Sequence, residues 1–333
     1  MGISWPGVLP ILQQAVRLPD NEAMSISQYI KEIGRGKQGA RNLSREQAAD
    51  LWGQLLDGSV SDLEVGAFCI AMRVKGETDQ EMAGFLDATH SRLPRVTAGS
   101  GAPVVVIPSY NGARKLPVLT PLLAMLLSRE GLSVLVHGTA TEAARIGASS
   151  VFSKLGLPVL ASLRPLAAGE AVFVPTGVLN PGIQRLLEVR RVIGLRNPAH
   201  ALVKLMNPVA GPSLLVTSYT HPEYRQSMGA TLALMQANAL LLRGTEGEAV
   251  ADPRRMPQMD GFIAGRHITL QAPQAGSLAT LPELPKAIDA DSTAAYVRSV
   301  LEDDSIVPAP IVAQVGHIVQ LTRQLQPSGV ALT

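Results

Sequence analysis

The first hundred residues carry the pattern of a helical domain. From residue 44 onward, apolar residues recur every three or four positions, the period of amphipathic helices. Three such runs begin with a capping box, a hydroxyl residue followed three positions later by Glu or Gln. The pairs are Ser44 with Gln47, Ser61 with Glu64, and Thr78 with Glu81. Gly58 and Gly76 end the first two runs. We predict a small helical domain over residues 25–97, preceded by a proline-rich N-terminal extension over residues 1–24.

A different pattern begins near residue 98. Short β-branched runs alternate with helical segments, which is typical of a parallel sheet with crossover helices. The predicted strands are Val104–Ile107, Ser133–His137, Ala171–Val174, Ser213–Ser218, Ala239–Leu242 and Phe262–Leu270. The predicted helices are Leu119–Glu130, Thr141–Leu155, Pro222–Gln236, Asp291–Leu301 and Pro308–Leu325. The predicted fold class is therefore α/β, a small helical domain plus a larger α/β domain over residues 98–333 with a central, mostly parallel sheet.

Composition excludes several classes of protein. Hydrophobic residues make up 46% of the 333 residues and charged residues 17%, so a large core is available and disorder is not expected. No apolar run approaches the ~20 residues of a membrane span, and the first residues lack the basic and apolar regions of a signal peptide. Cys69 is the only cysteine, and its apolar helical surroundings place it in the core. We predict a cytoplasmic protein without membrane association.

Basic residues are concentrated between Gln184 and Pro208. This stretch contains Arg185, Arg190, Arg191, Arg196 and Lys204 but only one acidic residue, Glu188. The whole chain has a formal net charge of only +2, so the concentration is local. A polyanion is the expected partner of such a stretch, and a solvated basic face without a ligand is the alternative interpretation.

The same stretch predicts two helices joined at Gly194. Asn197 is a typical N-cap and Pro198 a typical first helical residue. His200, Lys204 and Asn207 would then share one helix face, since they lie three or four positions apart. Arg196 would stand beside the free N–H groups of the helix start, which is a natural place for an anion.

Further basic residues lie in the predicted helical domain and after the first predicted strand. Together with the stretch above they give the candidate nucleic-acid-binding residues Arg35, Lys37, Arg41, Arg73, Lys75, Arg114, Lys115, Arg190, Arg191, Arg196, His200 and Lys204. Aromatic residues make up only 4% of the chain, so base stacking should be minor. No helix-turn-helix, zinc or RNA-recognition signature provides base readout. We therefore expect phosphate contacts with little sequence preference.

Several motifs resemble one enzyme family. His137–Pro158, HGTATEAARIGASSVFSKLGLP, is similar to a segment of anthranilate phosphoribosyltransferases, as is Arg190–Pro208, RRVIGLRNPAHALVKLMNP. The motifs KEIGRGKQGARNL, PSYNGARK, GLRNPAH, YTHPEY and RGTEGE resemble more closely the YbiB subfamily, a nucleic-acid-binding branch of this fold. The resemblance covers most of the chain. It implies the two-domain class III nucleoside phosphorylase/phosphoribosyltransferase architecture, with residues 176–200 packing on the helical domain, and a homodimer joined through that domain.

The motifs that carry the family's chemistry are altered. Pro108–Gly112 stands where the family has the diphosphate-binding GTGGD loop, and proline there removes an N–H donor. Val136 and Thr139 replace the Lys and Asn of its KHGN motif. Glu246–Val250 replaces DGLDE, so the Asp-Glu pair that would hold magnesium is gone. Glu246 and Glu248 are expected to be solvated loop acids, with replacement metal ligands as the alternative. Arg196 matches the family's aromatic-acid-binding arginine.

These departures favour nucleic-acid binding in a basic cleft over catalysis. We predict no catalytic residues, no cofactor and no metal. The predicted partner is a nucleic acid, either DNA or RNA, and either single- or double-stranded. The alternative is a phosphoribosyltransferase or nucleoside phosphorylase with a remodelled site; a protein–protein interaction module is a third hypothesis. Apolar residues of the capped helices offer surface for the expected dimer, unless they only fill the domain's own core. These residues are Leu51, Leu55, Phe68, Met72, Met82 and Phe85.

Overall fold

The structure is a computed structural model, and residues 25–99, 101–142 and 144–325 are described. The predicted extension over residues 1–24 lies outside the described residues, and for Lys37 only the backbone is described. None of the helices in these ranges is long and apolar enough to cross a membrane.

Five helices form the helical part of the described residues, and the last three of them are the predicted capped helices. They are α1 (Ser27–Ile33), α2 (Gly36–Gly39), α3 (Arg45–Asp57), α4 (Asp62–Lys75) and α5 (Asp79–His90). All three predicted capping boxes are present, each with both reciprocal hydrogen bonds. Gly58 ends α3 in the left-handed conformation, with φ of 71°, which explains why glycine is needed there.

The interior of this helical part is built on aromatic residues. Trp52 of α3 stacks on Phe85 of α5 with ring centroids 4.7 Å apart, and Phe68 of α4 lies 5.9 Å from Trp52. The apolar residues predicted to form a dimer surface are all buried in the same interior, at 6% exposure or less: Leu51, Leu55, Phe68, Met72, Met82 and Phe85. These residues therefore do not offer a surface for a dimer. They fill the core of the helical part, the alternative interpretation, because α3, α4 and α5 cover one another's apolar faces. Cys69 is fully buried beside them, as predicted.

A mixed sheet of eight strands forms the second part. The strands are β1 (Val104–Ser109), β2 (Ser133–Gly138), β3 (Ala171–Pro175), β4 (Ser213–Tyr219), β5 (Ala239–Thr245), β6 (Glu248–Ala251), β7 (Met259–Ile263) and β8 (Arg266–Gln271). Their order is β3-β2-β1-β4-β5-β7-β8, with β6 paired to β5. The first five strands are parallel. The predicted fold class is confirmed.

The single strand predicted over Phe262–Leu270 is wrong. It is the antiparallel hairpin of β7 and β8, turned by Ala264 and Gly265 in the left-handed region. An apolar run does not reveal a two-residue turn when an alanine takes the place of the usual Asn or Asp.

Helices cover the sheet and connect its strands. They are α6 (Thr120–Arg129), α7 (Ala148–Leu155), α8 (Thr176–Leu179), α9 (Pro181–Ile193), α10 (Ala199–Leu202), α11 (Pro222–Leu234), α12 (Ala290–Glu302) and α13 (Ala309–Arg323), with a 3₁₀ turn at Asp304–Ile306. The helix predicted from Thr141 begins only at Ala148. The described residues before it, 141, 142 and 144–147, are not helical, because the Thr141 hydroxyl bonds to the Tyr110 carbonyl and Ile146 pairs with Ala113.

One hydrophobic cluster runs from the helical part onto one face of the sheet. It includes Val104 and Val106 of β1, whereas Val105 and Ile107 belong to a second cluster on the opposite face. Helix α9 packs against α3, where a side chain at Gly182 would come within 2.4 Å of the Leu56 carbonyl oxygen. The two predicted domains thus share a core.

Candidate functional site

The sheet has a topological switch point between β1 and β4. To one side of it the strand order runs to β2 and β3, and to the other side it runs to β5. In open α/β sheets, ligands bind in the crevice at the carboxyl ends of the strands beside such a point. The loop after β1, the loop after β2 and the β5–β6 turn all lie at this edge. The edge is therefore the place to look for a site.

Glu248 fills this crevice. Its Oε1 accepts hydrogen bonds from the backbone N–H groups of Asn111 and Gly112, each at 2.8 Å. Its Oε2 accepts from the hydroxyls of Ser109, at 2.5 Å, and Thr120, at 2.8 Å. The residue is only 2% exposed. The expectation that Glu248 is a solvated loop acid is wrong, since four donors hold its carboxylate inside the protein.

Glu246 has a similar arrangement at the edge of the crevice. Its carboxylate accepts from the backbone N–H groups of Arg114 and Lys115, at 2.7 and 2.9 Å. Its own backbone is in the left-handed region, with φ of 54°. Such a conformation at a non-glycine residue is held by its surroundings. Glu246 is thus a structural partner of the loop after β1 and not a free acid.

Lys204 lies behind the same turn. Its ammonium donates to the carbonyl of Gly247 at 3.1 Å and approaches the carbonyl of Ser218 at 3.4 Å. Burial lowers the pKa of Lys204 to about 8; Glu248 attracts the charge, and Arg196 repels it. The predicted helix face of His200, Lys204 and Asn207 is not formed, because α10 ends at Leu202. Lys204 therefore points inward rather than to an open surface.

Three arginines meet at one carboxylate on the other side of the crevice. Glu142, in the loop after β2, pairs with Arg145 at 2.9 Å, with Arg190 of α9 at 3.0 Å and with Arg196 at 3.2 Å. We call these four residues the arginine cluster. Partial burial alone would raise the pKa of Glu142, but its bonds to Arg190 and Arg145 lower it to about 2. The cluster carries three positive charges against one negative charge, and the side chain of Arg196 is 40% exposed.

The anion position predicted at the start of α10 is not available. The N–H of Ala199 is bonded to the Asn197 side chain, and the N–H of His200 to the Asn197 carbonyl. The helix is also a single turn of four residues. Burial lowers the pKa of His200 to about 4, and Arg196 adds to the effect. His200 is therefore neutral at pH 7 and adds no charge to the site.

The exposed predicted residues border the arginine cluster and the loop after β1. Arg191 follows Arg190 on α9 and is exposed. Arg114 and Lys115 are exposed on the loop whose Ala113 pairs with Ile146, four residues after Glu142. Within the described ranges, none of these three side chains forms an ion pair.

The predicted residues of the helical part have different environments. Arg35 and Arg41 both pair with Glu32, at 3.0 and 3.5 Å, and Arg73 is exposed on α4. Lys75 is different, because its side chain is only 5% exposed and pairs with the fully buried Glu81 at 2.6 Å. Lys75 thus stabilises the capping box of α5 and is not free for a phosphate.

Sequence patterns missed Glu142, Arg145 and the true role of Glu248. Glu142 and Arg145 lie three positions apart, and that spacing by itself predicts one continuous helix. Nothing within the RGTEGE motif indicates that its second glutamate accepts hydrogen bonds from backbone more than a hundred residues away. His137, retained from the family motif, is fully buried between Tyr110 and the Met206 carbonyl, and burial lowers its pKa to about 4.

The carboxylates of Glu246 and Glu248 are both engaged by hydrogen-bond donors of the protein. No group of three His, Cys, Asp or Glu side chains with metal-binding geometry occurs in the part of the chain that is described. The pocket between the loops after β1 and β2 has a volume of about 10 Å³, which is room for about one water molecule. The alternative that Glu246 and Glu248 replace the family's metal ligands has no support in this geometry.

Comparisons with known proteins agree with the fold. Residues 27–92 match the glycosyl transferase family, helical bundle domain. Among solved structures, anthranilate phosphoribosyltransferase from Thermus thermophilus aligns with a TM-score of 0.63 and 20% identity, over 89% of this chain and 88% of that one. The Saccharomyces cerevisiae enzyme in complex with PRPP and Mg aligns with a TM-score of 0.65 and 15% identity, over 90% and 89%.

Two curated relatives have higher sequence identity to this chain than these solved structures do. Uncharacterized protein YbiB of Escherichia coli strain K12 is 38% identical over 297 residues, which covers 87% of this chain and 92% of the relative. Anthranilate phosphoribosyltransferase of Methylorubrum populi is 30% identical over 270 residues, covering 78% and 79%. The chain therefore belongs to the anthranilate phosphoribosyltransferase family, in its YbiB-like branch.

Proposed function

We propose that this protein binds nucleic acid without sequence preference, through contacts between its arginines and the phosphate backbone. The observation that carries the proposal is the arginine cluster. Arg145 comes from the loop after β2, Arg190 and Arg196 come from the end of α9 and the residues after it, and all three share a single carboxylate. Arginine presents a planar set of donors that matches phosphate geometry, and it keeps its charge at any physiological pH. A surplus of two charges at the edge of the sheet favours an anionic partner.

The proposed contact surface consists of the cluster and its exposed neighbours. Arg190, Arg191 and Arg196 form one side, and Arg114 and Lys115 form the other. Arg35, Arg41 and Arg73 of the helical part extend the surface if a long polyanion reaches them. The ammonium of Lys204 donates to a backbone carbonyl and does not contact a phosphate directly. Its positive charge contributes to the electrostatic potential of the surface. Lys75 does not belong to this surface because it is paired with the buried Glu81. His200 does not belong to it because burial keeps its imidazole neutral.

Phosphoribosyl transfer is less consistent with the crevice. The backbone N–H groups of Asn111 and Gly112, where the family binds diphosphate, already bond to Glu248. A polyanion that lies across the surface does not need this crevice, whereas a small phosphorylated substrate does.

Binding to DNA should weaken steeply with salt. Each neutralised phosphate releases counterions, so we expect a linear fall of log K with log salt, by roughly 0.9 per contact for duplex and roughly 0.7 for single strands. The measurement is fluorescence anisotropy with single-stranded DNA, double-stranded DNA and RNA of equal length, over ~50–200 mM salt. Equal affinities for unrelated sequences would support backbone contacts. Absence of saturable binding to all three ligands at low salt would refute the proposed function.

The protein should form no phosphoribosyl anthranilate. We expect no product from anthranilate and phosphoribosyl diphosphate with magnesium, and no calorimetric binding of phosphoribosyl diphosphate, because Glu248 occupies the N–H groups that would hold it. A family enzyme with an intact glycine loop serves as the positive control. Product above the background of a mock purification would favour the alternative of an active phosphoribosyltransferase.

We also propose a homodimer that forms through α4, in the cytoplasm. Leu63, Ile70 and Val74 are 79%, 43% and 51% exposed. Ile70 and Val74 follow Leu63 by seven and eleven positions, which places the three side chains within about 40° of one another around the helix axis. Their apolar surface is open in the single chain, unlike the buried residues first assigned to the interface. Cys69 is a free, buried thiol, which is consistent with a reducing compartment.

The dimer proposal predicts the effect of one charged residue on α4. Ile70→Glu should produce a monomer at micromolar concentration in sedimentation velocity, because a desolvated carboxylate without a partner costs several kcal/mol in an apolar interface. Val312→Glu is the matched control, since Val312 is 53% exposed on α13. A wild-type protein that is already monomeric, or an Ile70→Glu variant that stays dimeric, would count against this interface.

A further inference from the structure

We propose that the crevice at the switch point is an anion-binding site whose ligand is built into the chain, namely the carboxylate of Glu248. The site is a concave group of hydrogen-bond donors, the nest, that binds one small carboxylate. The β5–β6 turn positions the Glu248 carboxylate in it. This inference concerns the crevice alone and does not depend on nucleic-acid binding.

The donors around Glu248 are those of an anion site. Two backbone N–H groups, of Asn111 and Gly112, converge on one oxygen, and two hydroxyls, of Ser109 and Thr120, on the other. Successive backbone N–H groups next to a left-handed residue form concavities that bind anions, and Gly112 has φ of 68°. The N–H groups cannot turn away to another partner, because the loop is fixed by the pairing of Ala113 with Ile146.

The turn that carries Glu248 is docked rigidly. The Gly247 carbonyl accepts from the Ser218 hydroxyl at 3.0 Å and from the Lys204 ammonium at 3.1 Å. A side chain at Gly247 would come within 1.7 Å of the Asn111 side-chain nitrogen, and φ there is 93°. The carboxylate is therefore held in place before it meets its donors, which gives it a high effective concentration over any free anion.

Truncation of Glu248 should expose the site to a free anion of matching shape. Glu248→Ala removes the γ-carbon and the carboxylate, which together have the size and charge of acetate. The four donors then lose their acceptor, and Lys204 loses the negative charge that attracts it. Acetate added from solution can restore both interactions, whereas chloride has neither the shape nor the two oxygen acceptors of a carboxylate.

The test is to measure the thermal unfolding midpoint of the Glu248→Ala variant with and without acetate, with acetate also present during refolding. We expect the midpoint to fall by roughly 5–10 °C relative to the unsubstituted protein. Sodium acetate at ~100 mM should then raise it by roughly 2–4 °C, while sodium chloride of equal ionic strength should not. Acetate should leave the unsubstituted protein unchanged, because Glu248 already fills the site.

Asp260→Ala is the matched control. Asp260 is also a buried carboxylate, at 1% exposure, but its side-chain partners are Arg225, His267 and Gln258, all of them partly exposed. These can turn to solvent when the carboxylate is removed, so acetate should give no specific gain. Equal effects of acetate on the two variants and on the unsubstituted protein would show a general salt effect and overturn the proposal.

Glu248→Gln keeps the proposal testable if Glu248→Ala does not fold even in acetate. The amide has nearly the same shape, but its NH₂ group faces donors and cannot accept from them. We expect a lower midpoint than that of the unsubstituted protein, without gain from acetate, because the amide still fills the nest. A midpoint equal to that of the unsubstituted protein would show that the nest does not require an anion and would overturn the proposal.

Discussion

An Arg190→Gln, Arg196→Gln variant should bind DNA roughly 10–100-fold more weakly than the unsubstituted protein, with a salt slope reduced by roughly 1.4–1.8. Both arginines belong to the arginine cluster, and the side chain of Arg196 is 40% exposed. The loss should be the same for unrelated sequences, because phosphate contacts carry no sequence information. Salt-titrated anisotropy measures both quantities, and circular dichroism checks that the variant is folded.

The fold should tolerate this change. Glu142 keeps Arg145, its partner at 2.9 Å, so its carboxylate is not left without a positive charge. Arg323→Gln is the matched control, because Arg323 is exposed on α13 and forms no ion pair in the described ranges. Glu142→Gln should act in the opposite direction and tighten binding, since it removes the charge that competes with phosphate. A double variant that binds like the Arg323 control would show that the cluster is only a structural ion-pair network.

Lys204→Met should stabilise the protein by about 1–3 kcal/mol at pH 7, although it removes two hydrogen bonds, because a lysine whose pKa is lowered on folding costs free energy in its charged form. Burial lowers the pKa of Lys204 to about 8, so the folded protein holds this charge at a cost. Methionine has a similar volume and needs no solvation. The Gly247 carbonyl still accepts from the Ser218 hydroxyl after the change. The measurement is urea unfolding of the variant and the unsubstituted protein.

The pH dependence of this gain follows from the same pKa. An unfolded lysine titrates near 10.5 and Lys204 in the folded protein near 8, so between these values the unfolded chain binds more protons. The unsubstituted protein therefore gains stability relative to the variant as pH rises from about 8 to about 10.5, and the difference disappears above that. Lys154→Met is the control, since Lys154 is half-exposed beside Asp291 and should change stability by less than about 0.5 kcal/mol. A large destabilisation by Lys204→Met would show that its bonds to Ser218 and Gly247 outweigh its burial.

A lysine that lowers stability needs another reason to be present. Functional residues are often kept at such a cost, and their removal stabilises the fold while activity falls. Weaker DNA binding by the stabilised Lys204→Met variant would therefore connect Lys204 to the proposed function. This readout also separates a field effect of Lys204 from a purely structural role.

The features that depend on neighbours along the chain could be predicted from the amino-acid sequence. The capping boxes at Ser44, Ser61 and Thr78 are present because each involves residues only three positions apart. The five parallel strands also lie where short apolar runs predicted them, since strands buried on both faces leave a continuous apolar signal. The family follows from motifs of the same local kind.

Which charged residues contact one another depends on the folded chain and could not be predicted from local sequence. Arg190 and Arg196 lie 48 and 54 positions from Glu142, and Glu248 lies 137 positions from the N–H of Asn111. A sequence shows that an arginine or a glutamate is present, but its partner is set by the crossing of loops at the edge of the sheet. The same holds for Leu51 and its apolar neighbours, because helical periodicity identifies an apolar face and not the helix that covers it. Lys204 is the clearest case: local spacing placed it on an exposed helix, but the helix ends at Leu202 and the β5–β6 turn covers the lysine.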